Sequence, residues 1–222
     1  MIPNPYLGIF IVIDGIDGCG KSTQVKLLAD WLKRETYSAG RVVLETKEPD
    51  KTGLFGKLIY ADLVNEDGLH VTEPALFQTW YACDSKTHLQ NKIIPCLKHG
   101  GIAISDRFRS AMVYGARTKD DIAELMAMNQ MIIGEHFIWP DIIFIIDVSI
   151  EVALERLEKN GRKLDGHEQY AVLNRTREYY RQFAEQYPNC QVVNGGPSPE
   201  ATLVLVKTRV QELFKDKFCH GV

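Results

Sequence analysis

The chain has 222 residues, of which 45% are hydrophobic and 25% are charged, and its formal net charge is −3. These values are typical of a globular domain and exclude the strongly basic composition of proteins that coat nucleic acid. The longest apolar run, Ile142–Ile146, is far too short to cross a bilayer, so we expect neither nucleic acid nor membrane as partner. The five cysteines are scattered and odd in number, which favours reduced thiols in the cytoplasm over a disulfide framework.

Short apolar runs rich in β-branched residues alternate along the chain with segments of helical periodicity. Such continuous runs are typical of strands in a parallel sheet that is covered by helices on both faces. The predicted strands are Gly8–Ile13, Val42–Leu44, Ile102–Ile104, Ile142–Ile146 and Gln191–Val193. The predicted helices are Lys21–Arg34, Glu73–Leu97, Asp120–Glu135, Ile150–Lys159, Tyr170–Tyr187 and Pro199–Phe214. The alternation predicts an α/β fold with a five-stranded parallel sheet, in a single domain over residues 1–222.

A glycine-rich segment follows the first predicted strand and precedes the first predicted helix. Its sequence is Asp14-Gly15-Ile16-Asp17-Gly18-Cys19-Gly20-Lys21-Ser22-Thr23, and Gly15 to Ser22 fit the pattern G-x-x-x-x-G-K-[ST]. Backbone N–H groups of such a loop wrap a polyphosphate, and the helix dipole favours the same anion. We therefore predict that residues 15–23 bind the phosphates of a nucleoside triphosphate, which the family resemblance given below specifies as ATP, with Lys21 as a catalytic cation and Ser22 as a ligand of Mg²⁺. The expected fold class is a P-loop NTPase-type three-layer sandwich.

The phosphate loop alone leaves open whether the protein is a GTPase switch or a kinase. Patterns that match two further GTPase motifs occur at Asp50–Gly53 and at Thr118–Asp121. The second pattern would have to follow a buried strand to reach a guanine base, but it follows a polar stretch. Chance matches to such short patterns are common, so we favour the kinase.

An acidic and a basic residue stand together at the end of the third predicted strand, in Ser105-Asp106-Arg107-Phe108. In a parallel sheet this end lies at the same edge as the phosphate loop. Asp106 can there help to hold Mg²⁺ and its waters, and Arg107 can clamp the phosphates of donor and acceptor. Positioning and charge neutralisation are the main tasks of phosphoryl transfer, so we predict Asp106 as a metal ligand and Arg107 as catalytic.

Several segments at this spacing together resemble the thymidylate kinase family, and the resemblance covers nearly the whole length. Besides the phosphate loop, they are Thr46-Lys47-Glu48-Pro49, Asp106-Arg107-Phe108 with Ser110 and Tyr114, Trp139-Pro140-Asp141, and Val152-Ala153-Leu154-Glu155-Arg156. The resemblance implies transfer of the γ-phosphate of ATP to a deoxynucleoside monophosphate, most specifically dTMP, with Mg²⁺. It also implies a homodimer.

The resemblance assigns the acceptor site residue by residue. The implied acceptor-binding residues are Asp14, Lys47, Glu48, Lys57, Tyr81, Ser85, Arg107, Ser110 and Tyr114. Tyr81 would stack on the base, Arg107 would contact the acceptor phosphate, and Tyr114 would lie where a ribose 2′-hydroxyl would project. Two base-reading positions depart from the family pattern, because Ser85 replaces an arginine and Ala111 replaces a polar residue. We hypothesise that Lys86 or a water contacts thymine O4 instead.

The interior of the phosphate loop, Ile16–Cys19, contains no basic residue, so the compensating cations should come from a mobile lid. The polar segment 156–168 carries Arg156 and Arg162, which we predict to bind ATP. Closure would exclude water and present Arg162 to the transferring phosphate as a catalytic cation. Two other functions stay open: a kinase with a different or broader monophosphate acceptor, and a non-catalytic regulatory protein that binds nucleotides.

Overall fold

The computed structural model describes residues 2–36, 39–108, 116, 118–161, 166–196 and 198–219. Seven strands lie in these ranges: β1 (Ile2–Pro3), β2 (Ile9–Asp14), β3 (Val43–Lys47), β4 (Ile102–Asp106), β5 (Ile138–Trp139), β6 (Ile142–Asp147) and β7 (Cys190–Asn194). Five of them form a parallel sheet in the order β3-β4-β2-β6-β7, while β1 and β5 form a separate parallel pair. The predicted five-stranded parallel sheet is therefore confirmed.

The register of the sheet determines where chemistry can occur. Residue Ile13 of β2 lies opposite Asp106 of β4, and Lys47 of β3 lies opposite the same aspartate. The carboxyl ends of three strands thus meet at one edge, which is where open α/β sheets bind their ligands. All six residues of β2 are buried because helices cover both faces of the sheet.

Nine α-helices lie in the described ranges, on either side of the sheet. They are α1 (Lys21–Glu35), α2 (Leu54–Asp62), α3 (Leu69–Thr72), α4 (Pro74–His88), α5 (Ile94–Lys98), α6 (Lys119–Ile133), α7 (Ile150–Lys159), α8 (Gly166–Gln186) and α9 (Pro199–Cys219). A π-helical turn, Leu89–Ile93, joins α4 to α5. None of the described helices is long and apolar enough to cross a membrane.

The structure differs from the predicted helices within the segment Glu73–Leu97 and at α2. The single helix expected over Glu73–Leu97 is divided by the π-helical turn Leu89–Ile93. Just after this turn, Pro95 at the start of α5 has no N–H to continue the regular hydrogen-bond pattern. Helix α2 was not predicted, and it contains Gly56, a residue of low helix propensity. A side chain at that position would lie 1.9 Å from the carbonyl oxygen of Asp50, so the close packing of this turn requires glycine.

Candidate active site

A cleft of about 1050 Å³ lies at the carboxyl edge of the sheet. It brings together most of the residues predicted to form the site: Asp17, Gly18, Cys19, Gly20, Lys21, Ser22, Thr23, Lys47, Glu48, Tyr81, Ser85, Arg107 and Arg156. Asp14, Gly15, Ile16 and Asp106 adjoin these residues in the chain but do not line the cleft. Lys57 is exposed on α2 and does not line it either. Ser110, Tyr114 and Arg162 lie outside the described residues.

The phosphate loop joins β2 to α1 through three glycines with positive φ. Gly15, Gly18 and Gly20 have φ of 136°, 80° and 103°. Residues that carry a Cβ rarely adopt such values. Gly18 also lies against α7, because a Cβ at this position would come within 2.4 Å of the carbonyl oxygen of Ala153. The loop therefore packs directly on the backbone of the helix that leads to the predicted lid.

Lys21 is held inside the curve of this loop. Its side chain is 7% exposed, and its ammonium donates to the carbonyl oxygens of Gly15 at 3.0 Å and Ile16 at 2.7 Å. The neighbouring Cys19 is buried, and this burial raises the pKa of its thiol, so the thiol stays neutral. Lys21 can thus supply positive charge where a phosphate chain would lie in the loop.

Ser22 and Asp106 meet where the first helix begins beside β4. The Ser22 hydroxyl donates to Asp106 Oδ2 at 2.5 Å, and the Lys47 ammonium lies 3.4 Å from the same oxygen. Asp106 Oδ1 is buried and has no hydrogen-bond partner among the described residues. No group of three or more metal-ligating side chains occurs in the described part of the chain. One hydroxyl and one carboxylate fit Mg²⁺, which usually keeps several waters and takes further oxygens from substrate phosphates.

Arg107 adopts an unusual backbone conformation, with φ of +75° in the left-handed region. The Arg107 N–H donates to the carbonyl oxygen of Ile13 at 3.0 Å, and the carbonyl oxygen of Arg107 accepts from the Ser105 hydroxyl at 2.6 Å. The guanidinium bonds the carboxylate of Asp17 and lies 3.9 Å from Asp14 Oδ1. Strained backbone of this kind is concentrated at functional sites, where it fixes the direction of a side chain.

Asp14 is buried at the end of β2, and burial raises the pKa of its carboxyl despite the opposing effects of Arg107 and Tyr180. The Tyr180 hydroxyl donates to Asp14 Oδ1 at 2.7 Å, and the Gly15 N–H donates to the same oxygen at 2.9 Å. Tyr180 was missed by the sequence analysis, because no local pattern relates a residue of α8 to the phosphate loop. Its hydrogen bond connects the helix after the predicted lid to the start of the loop.

Glu48 is the centre of a buried hydrogen-bond network on the acceptor side. Its Oε1 accepts from the Ser85 hydroxyl at 3.0 Å and contacts His88 Nδ1 at 3.2 Å. The other ring nitrogen of His88 contacts the Thr46 hydroxyl at 2.5 Å. Because His88 and Ser85 lie on α4, the network fixes this helix to the end of β3.

Aromatic side chains of α4 form a wall of the cleft. Tyr81 and Phe77 are one helical turn apart, and their rings pack edge to face with centroids 5.3 Å apart. Burial raises the pKa of the Tyr81 phenol to about 12, so the ring is neutral at physiological pH. The Lys86 ammonium donates to the carbonyl oxygen of Ile132 at 3.0 Å and does not line the cleft, so Lys86 does not face the expected position of thymine O4 in this structure. The alternative, a contact through a water, stays a prediction.

Arg156 connects three segments around the donor end of the cleft. Its guanidinium donates to the carbonyl oxygen of Cys19 at 3.2 Å and to that of Gly195 at 3.1 Å. Arg156 therefore lies beside the phosphate loop, and its predicted role in binding ATP stays a prediction. Arg175 of α8 also lines the cleft, and the sequence analysis missed it because helical arginines are usually solvated surface residues.

Asp84 is 1% exposed, and burial raises the pKa of its carboxyl from 3.8 to about 6. Its Oδ2 accepts from the N–H of Asp50 at 2.9 Å. The folded protein therefore binds this proton more tightly than the unfolded chain. The unfolding free energy should fall as the pH rises from 4 to 6, by roughly 1.4 kcal/mol per unit of pKa shift.

Asp84→Asn is expected to remove this pH-dependent loss of unfolding free energy, because an amide does not ionise. The amide oxygen can still accept from the N–H of Asp50. Urea denaturation at pH 4.5 and pH 8 should show a smaller decrease in unfolding free energy for the variant, by about 2 kcal/mol. The exposed Asp67 provides the control Asp67→Asn, for which the pH dependence should match the wild type. Equal pH dependence of Asp84→Asn and wild type would contradict the prediction.

Comparisons with known proteins agree with this geometry. A family model described as thymidylate kinase matches residues 13–204. The probable thymidylate kinase of Thermococcus gammatolerans is 34% identical, and the match covers 87% of this chain and 91% of the relative. The thymidylate kinase of Anaplasma marginale is also 34% identical, with 93% and 95% covered. The crystal structure of thymidylate kinase from Ehrlichia chaffeensis superimposes with a TM-score of 0.69 at 25% identity, over 92% of this chain and 99% of that chain.

The parallel sheet, the phosphate loop after β2 and the adjoining cleft define a P-loop nucleotide kinase. The family model covers most of the chain, and two relatives exceed 30% identity over nearly their full lengths. The chain belongs to the thymidylate kinase family.

Proposed function

We propose that this protein transfers the γ-phosphate of ATP to thymidylate, dTMP, which yields dTDP and ADP. The observation that carries the proposal is one continuous cleft with the phosphate loop at one end and the aromatic wall of α4 at the other. Arg107 lies between them, because it bonds Asp17 in the loop and its charge also acts on Tyr81. Such a cleft can hold two phosphorylated ligands with their phosphates facing each other.

The chemistry assigned to the residues is mainly positioning and charge neutralisation. A phosphate oxygen of dTMP attacks the γ-phosphorus, the bond to the bridging oxygen breaks, and ADP leaves with that electron pair. Lys21 and the amides of the phosphate loop bind the donor phosphates. Arg107 holds the acceptor phosphate close to the negatively charged donor phosphates, while Tyr81 stacks on the base. Asp14 and Glu48 border the acceptor side.

Mg²⁺ belongs to the same proposal, with Ser22 and Asp106 as the residues that would hold it. The support is the unpartnered buried oxygen of Asp106 beside the Ser22 hydroxyl. When bound with ATP, Mg²⁺ neutralises charge on the donor phosphates. Lys47 contributes a further cation on the adjoining strand end, 3.4 Å from Asp106.

The proposal extends to the organisation of the chain: a single domain over residues 1–222 with a lid near residues 156–168. It is supported by one continuous cluster of buried apolar residues that runs from β2 to α9. A cytoplasmic location and a homodimer complete the proposal, and the family resemblance supports both.

The experiment that tests the proposed function follows ADP release with ATP and Mg²⁺ in the presence and absence of dTMP. We expect release to require the acceptor and to vanish with EDTA. ADP release without dependence on dTMP would contradict the kinase assignment, as would nucleotide binding without turnover.

Arg162 is proposed as the transition-state cation of the lid, because the loop interior Ile16–Cys19 contains no basic residue. Arg162→Ala is expected to lower kcat by about 10²-fold or more, with little change in the KM for ATP. The control Lys159→Ala removes an exposed cation that pairs with Glu155 on α7, and it should leave kcat within about twofold. If Arg162→Ala keeps the kcat of the control, this residue does not stabilise the transition state.

A further inference from the structure

The end of the cleft that faces away from the phosphate loop has an unusual distribution of hydrogen-bonding groups. Residues Phe77, Tyr81 and Ser85 line it at intervals of four along α4, so they lie on one face of the helix. Asp84 lines the cleft beside them, and α6 packs across with Asn129 in the lining. We call these five residues the base wall.

Ser85 can only accept a hydrogen bond from a ligand. It is 2% exposed, and its hydroxyl donates to Glu48 Oε1 at 3.0 Å. A hydroxyl has one proton and an ionised carboxylate has none, so this bond uses the only donor that the pair possesses. The remaining capacity of the Ser85 oxygen consists of lone pairs.

Asp84 adds a second acceptor to the base wall. Its Oδ2 accepts from the Asp50 N–H, while its buried Oδ1 has no partner among the described residues. With a pKa of about 6, the carboxyl is mostly ionised above neutral pH. A buried, unpartnered carboxylate oxygen favours a ligand that brings a donor.

Cationic donors are missing from this wall in the described part of the chain. Helix α4 contributes no lysine or arginine to the cleft lining. Lys86 instead bonds the carbonyl oxygen of Ile132, and Arg107 is directed to Asp17 in the phosphate loop. Asn129 is also partly committed, because its Nδ2 donates to the carbonyl oxygen of Leu125 at 2.8 Å. The donors that remain on the wall are uncharged: the Tyr81 hydroxyl and one Nδ2 hydrogen of Asn129. The acceptors of Ser85 and Asp84 therefore face no cationic donor on this wall.

We infer that the acceptor site also takes pyrimidine monophosphates with an exocyclic amino group, so that the protein phosphorylates dCMP, with Ser85 and Asp84 as specificity-determining residues. Cytosine presents its N4 amino group as a donor where thymine and uracil present the O4 acceptor, and carboxylates accept well from that amino group. Thymine can also bind this wall, because its N3–H is a hydrogen-bond donor. The γ-phosphate passes from ATP to the dCMP phosphate, giving dCDP and ADP. The inference rests on the proposed kinase function and deepens it.

The sharpest comparison uses dCMP and dUMP, because their bases differ only at the edge that the base wall would read. With ATP and Mg²⁺ at pH 7.5, we expect kcat/KM for dCMP to equal or exceed that for dUMP. A lower kcat/KM for dCMP than for dUMP would overturn the inference. If dTMP is phosphorylated while dCMP is disfavoured, only the inference fails; if no monophosphate gives ADP, the proposed function fails with it.

Substitution of Ser85 tests whether the base wall is the cause. Ser85→Arg introduces a cationic donor, and the dCMP-to-dUMP ratio of kcat/KM should fall by about 10- to 100-fold. Thr79→Arg places the same side chain on α4 outside the cleft lining, and the ratio should stay unchanged. Because a buried arginine can prevent folding, Ser85→Ala provides a second variant, for which the ratio should fall several-fold. An unchanged ratio in a folded Ser85 variant would overturn the assignment.

Discussion

Replacing Arg107 with glycine is expected to lower kcat by about 10³-fold without unfolding the protein. The guanidinium contacts Asp17 and lies near Asp14, between the phosphate loop and Tyr81, so its loss removes the charge that opposes phosphate repulsion. Steady-state kinetics with ATP and dTMP measure the effect. If Arg107→Gly keeps kcat within tenfold of wild type, Arg107 does not clamp the reacting phosphates.

The backbone of Arg107 supplies a matched control for this experiment. Its φ of +75° suits glycine, whereas alanine pays the same steric penalty as arginine. Arg107→Ala and Arg107→Gly should therefore lose activity equally, while the glycine variant is more stable than the alanine variant by about 1 kcal/mol. Urea denaturation measures the difference in stability between the two variants. If they differ in stability but not in activity, the lost activity cannot be attributed to lost stability.

Lys21→Met is expected to lower kcat by about 10²- to 10³-fold, because it removes the cation held inside the phosphate loop. The apolar chain of methionine keeps most of the packing of this buried side chain, so the fold should persist. The carbonyl oxygens of Gly15 and Ile16 then lose their donor, and these partners should bind water instead. Kinetics at saturating ATP measure the loss, and circular dichroism checks the fold.

Lys26 provides the control for Lys21, since it lies on the same helix and is exposed. Lys26→Met should change kcat by less than twofold and leave ATP binding unaltered. A Lys21→Met variant with nearly normal kcat would mean that the backbone amides of the loop neutralise the phosphates without this side chain.

The sequence predicts the parts of the site that local patterns encode. The phosphate loop has a fixed spacing, and its neighbours β2 and α1 were confirmed because continuous burial and helical periodicity are both local properties. The meeting of Ser22 with Asp106 also follows from strand order, since both stand at the carboxyl edge of a parallel sheet.

The parts that could not be predicted depend on contacts between distant segments. Tyr180 bonds Asp14 across most of the chain, and no spacing rule indicates such a pair. Lys86 was expected in the cleft, but its long side chain reaches the carbonyl oxygen of Ile132 on α6 instead. A residue of α4 can face either the cleft or helix α6, which lie close together. The packing of α4 against α6 decides which of the two a side chain reaches.

The contact between Gly18 and the backbone of Ala153 has a mechanical consequence for closure over ATP. With no side chain between them, and with Arg156 bonded to Cys19, the loop and α7 form a single stiff unit. A lid that moved α7 would distort the loop that grips the donor. We therefore expect α7 to stay in place against the loop when ATP binds.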